Sequence, residues 1–243
     1  KYAGPISRLH YTKEGEVALM VFEEDTTILL NNTLYKSSFI LPVKEQTVHI
    51  PASQVENIYN VLVIFDRGHV SELSKYNSIN IDIIETIPFI APQKSTIISP
   101  AQFTSDKKYD IIYLGSSIPE NAASNRFYTV RFFKKMQSLM SQRAVLSFTL
   151  PFNENYMQKN EYLLFSVLQN TLKSLFQYVL IFPGSGHATF MASNSMLHIP
   201  EQCHVPTEYL SSYILPSITD ERIESVNTYT DTPAVQKFNF CNS

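Results

Sequence analysis

Apolar residues fall into short runs along this chain, and their spacing changes character near residue 60. Before that point ISRLHYT at 6–12, EVALMVFE at 16–23 and TTILLNN at 26–32 mix apolar and polar positions, separated by Glu14-Gly15 and by the charged break Glu23-Glu24-Asp25. That pattern predicts a small antiparallel β-meander. The stretch 41–59, LPVKEQTVHIPASQVENIY, interleaves Pro, polar and apolar positions, and a short helix fits there. A soft boundary is placed near residue 52. From residue 60 the runs NVLVIF, INIDIIE, STIIS, YDIIYL and AVLSFTL are apolar on both faces, as in strands buried between two layers of helices. Two helices are predicted between and after them. One covers 125–141, with Tyr128, Phe132, Met136 and Met140 at i+4 spacing and Ser124 or Asn125 as N-cap. The other covers 160–176, built on Leu164, Leu168 and Leu172.

QYVLIFP and HATFMAS then flank Gly184-Ser185-Gly186, which predicts a terminal antiparallel hairpin. Parallel strands that end in such a hairpin define the fold class as α/β, a class I S-adenosylmethionine-methyltransferase-like Rossmann domain with a small N-terminal antiparallel β-domain. The expected domains are 1–52 for the β-meander and 53–243 for the Rossmann-like part. Residues 196–243 read as irregular, with one helix around 207–213 and a last strand near 235–240.

Composition narrows the function. The chain has 243 residues, a net charge of -3 and a pI near 6.1. It carries no basic stripe with interleaved aromatics, so nucleic acid is excluded as a partner. Two cysteines, Cys203 and Cys241, lie too far apart for a paired zinc motif. No apolar run approaches membrane-spanning length, so the piece reads as a soluble domain of unknown compartment. It starts at Lys1 with neither initiator Met nor signal-like segment, as an excised piece would. The sequon Asn31-Asn32-Thr33 is a short pattern that also arises by chance. Glycine is scarce, six residues in all, against an average share of about 7%. Little is left for backbone to approach a nucleotide closely.

YDIIYLGSSIPENAASNRFYTVRFFKKM at 109–136, with VHIP at 48–51, the strand at 60–65, Glu85 and VNTYTDTPA near the end, resembles the spermidine/spermine synthase family of polyamine aminopropyltransferases. It is most similar to the spermidine-synthase-like domain of membrane-fused bacterial proteins. The resemblance implies a β-domain joined to a methyltransferase-like domain, transfer of an aminopropyl group from decarboxylated S-adenosylmethionine to an amine, assembly into homo-oligomers, and flanking membrane segments in a longer parent chain.

The departures from that family carry as much weight. Its first turn, of the type G-G-G-D-G, is here Phe65, Asp66, Arg67, Gly68 and His69. The Phe65 and Arg67 side chains are expected to intrude on the ligand's volume, and residues other than glycine resist positive φ. Asp66 stands either as the acidic member of the motif or as a helix cap. The family's D-S-S-D-P, whose carboxylate takes the proton of the attacking amine, is here Gly115, Ser116, Ser117, Ile118 and Pro119. Gly115 thus occupies the base position, and Glu120 is the remaining candidate for a displaced base. A third carboxylate would fall at Ser99-Pro100. Glu85 is kept, as a ribose-binding carboxylate or as an ordinary strand-end acid. Vestigial nucleotide contacts are therefore Glu85, Asp66 and Gly68, no residue is assigned as catalytic, and no cofactor is expected unless a divergent site still holds an S-adenosylmethionine-type nucleoside.

The remaining candidates are bland. His49 reads as a structural hydrogen-bonder. His198, Cys203 and His204 match no zinc spacing, and no metal is expected. Ser116-Ser117 lacks the surroundings of an activated nucleophile. Phe127, Tyr128, Phe132 and Phe133 read as helix core. Three functions stay open: a non-catalytic module for binding, sensing or assembly; a divergent aminopropyltransferase using Glu85, Asp66 and Glu120; and a structural domain whose pocket is filled by Phe65 and Arg67.

Overall fold

The structure is a computed structural model. It describes residues 6–12, 15–22, 25–31, 33–116, 118–119, 122–153, 159–184, 186–203 and 205–228. The strand expected at 235–240, Cys241, Ser117, Glu120 and His204 lie outside the described residues.

Four strands, β1 (Ile6–Thr12), β2 (Gly15–Phe22), β3 (Asp25–Leu30) and β4 (Thr33–Ser37), make an antiparallel sheet in sequential order, one strand more than the hydrophobic pattern predicts. The extra strand follows Asn31, whose φ of 50° tightens the turn from β3 back onto its neighbour. The core of this sheet is thin. Val17 and Ile28 are buried against Ile87, which comes from the loop after a strand of the large sheet. The small sheet therefore sits over one end of the large one.

Seven further strands form that large sheet: β5 (Asn60–Ile64), β6 (Asn80–Glu85), β7 (Thr96–Ile97), β8 (Tyr109–Leu114), β9 (Met140–Pro151), β10 (Tyr178–Pro183) and β11 (His187–Ser193). Their order is β10-β11-β9-β8-β5-β6-β7. The pairs β7·β6, β6·β5, β5·β8 and β8·β9 are parallel, whereas β11 runs antiparallel to both β9 and β10. This is the class I S-adenosylmethionine-methyltransferase-like arrangement.

Both faces of the sheet are covered, which is why its strands read as continuous apolar runs. Leu62 and Ile64 of β5 face one layer with Phe132, Phe133, Leu168 and Leu172. Val61 and Val63 face the other with Val48, Ile50, Leu73 and Leu210. The first layer is α4 (Val130–Leu139), α5 (Lys159–Lys173) and α6 (Asp220–Asn227); the second is α1 (Leu41–Ala52), α2 (His69–Leu73) and a π-helical turn (Leu210–Ile214). The expected boundary near residue 52 falls at the end of α1, a helix that packs on β8, β9 and β11.

The helix predicted over 125–141 is divided. A short α3 (Ala122–Asn125) and a 3-10 turn (Arg126–Tyr128) lead to Thr129, which is extended at φ -95° and ψ 154°, and whose hydroxyl caps α4 by accepting the Phe132 N–H. Thr129, rather than Ser124 or Asn125, is the N-cap of the long helix. Met140 does not continue that helix; it is extended and pairs with Tyr109 at the start of β9.

Glu45 ties the C-terminal part of the chain to α1. Its carboxylate has no solvent exposure and accepts the backbone N–H groups of Glu208, Tyr209 and Leu210 at 2.6–2.8 Å.

Candidate functional site

In open α/β sheets ligands are held beyond the C-terminal ends of the parallel strands. Register brings three such ends together here, because Ile64 of β5 pairs with both Ile84 of β6 and Leu114 of β8. The next residues are Phe65, Glu85 and Gly115.

Phe65 adopts a left-handed conformation with φ 61°. For a residue with a side chain that costs about 1 kcal/mol. The turn thus demands positive φ at Phe65 as well as at Gly68, whose φ is 105°. What holds Phe65 there is packing. Its N–H donates to the Ile84 carbonyl at 3.0 Å, and its buried ring meets Phe127 edge-on at 5.0 Å between centroids. Its own carbonyl oxygen lies against Gly115, so that a Cβ at position 115 would stand 1.9 Å from it. No side chain of any kind fits at Gly115 unless the backbone moves.

Gly68 is required by its φ; a Cβ there would also come within 2.7 Å of the flexible end of the Lys44 side chain, which can swing aside. Asp66 uses its carboxylate on the turn itself, accepting the N–H groups of Gly68 and Val70 at 3.1 Å. Glu85 is fully buried, and its Oε1 accepts the Thr86 N–H at 3.0 Å. Ser99 and Pro100 lie in a turn in which the Ser99 carbonyl accepts the Gln102 and Phe103 N–H groups.

Arg67 turns away from the strand ends, toward the small sheet. Its Nε donates to the Ser37 carbonyl at 2.6 Å and its Nη2 to the Ser37 hydroxyl at 3.2 Å, while the guanidinium lies 4.0 Å above the Phe39 ring. Burial pushes its pKa down to about 10. Phe39, itself 4% exposed, also meets His69 and His187 edge-on at 6.0 and 5.8 Å. Beside it runs a buried hydroxyl chain from Thr47 to Thr149 to Thr189, with hydrogen bonds of 3.0 and 2.9 Å. Gln46 closes that chain by donating to the Thr189 hydroxyl and the His187 carbonyl.

A second polar cluster lies on the α1–α2 face. His49 Nε2 meets Glu72 at 2.9 Å and its Nδ1 meets the Tyr76 hydroxyl at 2.8 Å; Lys75 reaches the same Glu72 oxygen at 2.6 Å. Desolvation lowers the His49 pKa despite the opposing pull of Glu72. For Glu72 burial acts upward, yet hydrogen bonds from Lys75 and His49 outweigh it and the pKa falls. Cys203 is partly buried and burial raises its thiol pKa; the backbone of His198 is engaged by Gln54. Among the described residues no group of three His, Cys, Asp or Glu side chains converges as a metal site would. Phe127, Tyr128, Phe132 and Phe133 are buried core.

Sequence reasoning placed Phe65, Asp66, Gly68, Glu85 and Gly115 at one sheet end, and the structure gathers them there. It missed Ser37, Phe39, Gln46, His187 and Thr189. Nothing in the sequence near each of these residues announces a partner dozens of positions away.

Among solved structures, a spermidine synthase in complex with the transition state analogue AdoDATO superposes with a TM-score of 0.67, covering 91% of this chain and 88% of that one at 12% identity. The chain has the fold of spermidine synthase. The spermidine synthase of Thermotoga maritima gives 0.65 at 13% identity, covering 91% and 87%. A probable spermidine synthase from Corynebacterium glutamicum gives 0.55 at 12% identity, covering 80% and 82%. No model of a known protein family matches the chain, and no curated protein sequence does. At such identities the spermidine-synthase likeness is one of architecture. Among the described residues no helix is long and apolar enough to cross a membrane.

Proposed function

We propose that this spermidine-synthase-like domain is non-catalytic and serves as a binding, sensing or assembly module, carried beside membrane segments in a longer chain. The observation that supports this most is the contact between the Phe65 carbonyl and Gly115. The resemblance gives position 115 to the carboxylate that accepts a proton from the attacking amine, and an amine cannot act as a nucleophile while protonated. Here that position has no room for a Cβ. The nucleoside side of the cleft points the same way: Asp66 accepts backbone N–H groups of the turn, and Phe65 stands at positive φ where the resemblance has glycine. These residues do not suit an adenosyl ligand.

A second reading, a divergent aminopropyltransferase, is favoured by one feature, the buried carboxylate of Glu85 at the end of β6. Thermal unfolding with S-adenosylmethionine, its decarboxylated form and methylthioadenosine separates the two. A ligand at 100 times its dissociation constant stabilises its target by about 2.7 kcal/mol. The non-catalytic reading predicts no such shift with the decarboxylated form, and no spermidine from putrescine in a transfer assay. Turnover in that assay defeats it.

A further inference from the structure

We propose that the turn after β5 holds the oxyanion of a small carboxylate or phosphate ligand, gripped by the Arg67 guanidinium with the Lys44 ammonium alongside. The inference rests on the reading of the domain as a binding module and gives that module a ligand class.

A guanidinium offers five N–H donors in a fixed fork. Arg67 uses two groups of that fork, Nε and Nη2, on the carbonyl and hydroxyl of Ser37. Among the described residues no carboxylate pairs with it. Asp66 caps the turn, Glu72 is engaged by His49 and Lys75, and Glu85 takes the Thr86 N–H. With burial bringing its pKa only to about 10, the group stays charged at neutral pH. A charge packed against an aromatic ring with no counter-ion is costly unless something supplies the opposite sign. Arg67 is partly rather than fully buried.

Lys44 adds a second cation. Its stem crosses Gly68, and among the described residues its ammonium makes no ion pair or hydrogen bond. On the inner side of the turn, His69 is 2% exposed and its Nδ1 accepts the Arg67 N–H at 3.2 Å. The same Nδ1 lies 3.6 Å from Asp66 Oδ1, and Nε2 has no hydrogen-bond partner among the described residues. Positions where the resemblance expects carboxylates carry Gly115 and Ser99-Pro100 instead. Arg67 and Lys44 give the outer side of this turn a positive sign, which repels a polyamine and attracts an oxyanion.

The experiment is a calorimetric titration of the full chain with sodium phosphate and with sodium succinate, at matched ionic strength, with putrescine as the cationic control. Saturable binding of phosphate or succinate but not putrescine is expected, the stronger of the two naming the ligand chemistry. Affinity should fall at least tenfold in Arg67→Met and several-fold in Lys44→Gln. Should Arg67→Met not fold, Arg67→Lys keeps the charge, loses the fork and is expected to lose most of the affinity. Absence of saturable anion binding to the unmodified chain, preference for putrescine, or affinity unchanged in Lys44→Gln or in the Arg67 variants overturns the proposal. Aminopropyl transfer by the same sample defeats the non-catalytic reading alone, whereas absence of both transfer and anion binding defeats only this one.

Discussion

A single missing methyl group decides the chemistry at position 115. Gly115→Ala places a Cβ 1.9 Å from the Phe65 carbonyl oxygen, and since the obstacle is backbone, no rotamer relieves it. The expected loss is about 3 kcal/mol in urea-induced unfolding. Gly115→Asp, the substitution that restores a carboxylate on paper, is expected to destabilise at least as much and to give no aminopropyl transfer. Phe65 presents the opposite balance. Phe65→Gly relieves about 1 kcal/mol of left-handed strain but removes a ring that packs on Phe127. Phenylalanine truncation in a core costs about 3–5 kcal/mol, so a net loss of about 2–4 kcal/mol is expected, measured by the same method. Phe65→Ala, which keeps the strain and loses the ring, should be the less stable of the two.

Pairs of elements carry the pH dependence. His49 on α1 and Glu72 on α2 form a buried pair, joined by Tyr76 and by the exposed Lys75 just beyond α2, with Glu45 at 3.9 Å from Lys75. His49 has a folded pKa below its ordinary 6.5, so the unfolded chain binds the proton more readily and stability is lost as pH falls from 6.5 toward the lowered value. Glu72, with a folded pKa below 4.5, gives stability present above 4.5 and lost as pH falls further. Urea midpoints should therefore decline on acidification in two stages, and His49→Gln should flatten the upper stage, while the lower persists through Lys75 in reduced form. A constant midpoint from pH 7 to 5 excludes this. The strands of the large sheet were legible because burial on both faces leaves uninterrupted apolar runs, as in Val61 to Ile64. The break at Thr129 was not, because Tyr128, Phe132 and Met136 keep helical spacing across it while Thr129 itself is extended. The position of the site was readable in the turn at 65–69, whereas its wall was not: Arg67 meets Ser37 and Phe39 only through the docking of the small sheet.

The two sheets differ in how much holds them. The large sheet is buried on both faces, whereas residues 6–11 of β1 are exposed throughout and the small sheet's core is little more than Val17, Ile28 and Ile87. Local opening follows such differences. In hydrogen exchange the amides of β1–β4 should exchange faster than those of β5, β8 and β9, and Arg67→Met should speed the small sheet further by removing its hold on Ser37 and Phe39. Equal protection in both sheets contradicts this. The Glu45 clamp has a consequence in time. The N–H groups that satisfy its carboxylate come from residues 163–165 positions later in the chain. A ribosome adding about 5–20 residues each second needs roughly 8–33 s to supply them. Until then a nascent α1 carries an acid that cannot be sealed from water, so this helix reaches its final seat only near the close of synthesis, and a polypeptide cut short before Thr207 never seats it at all.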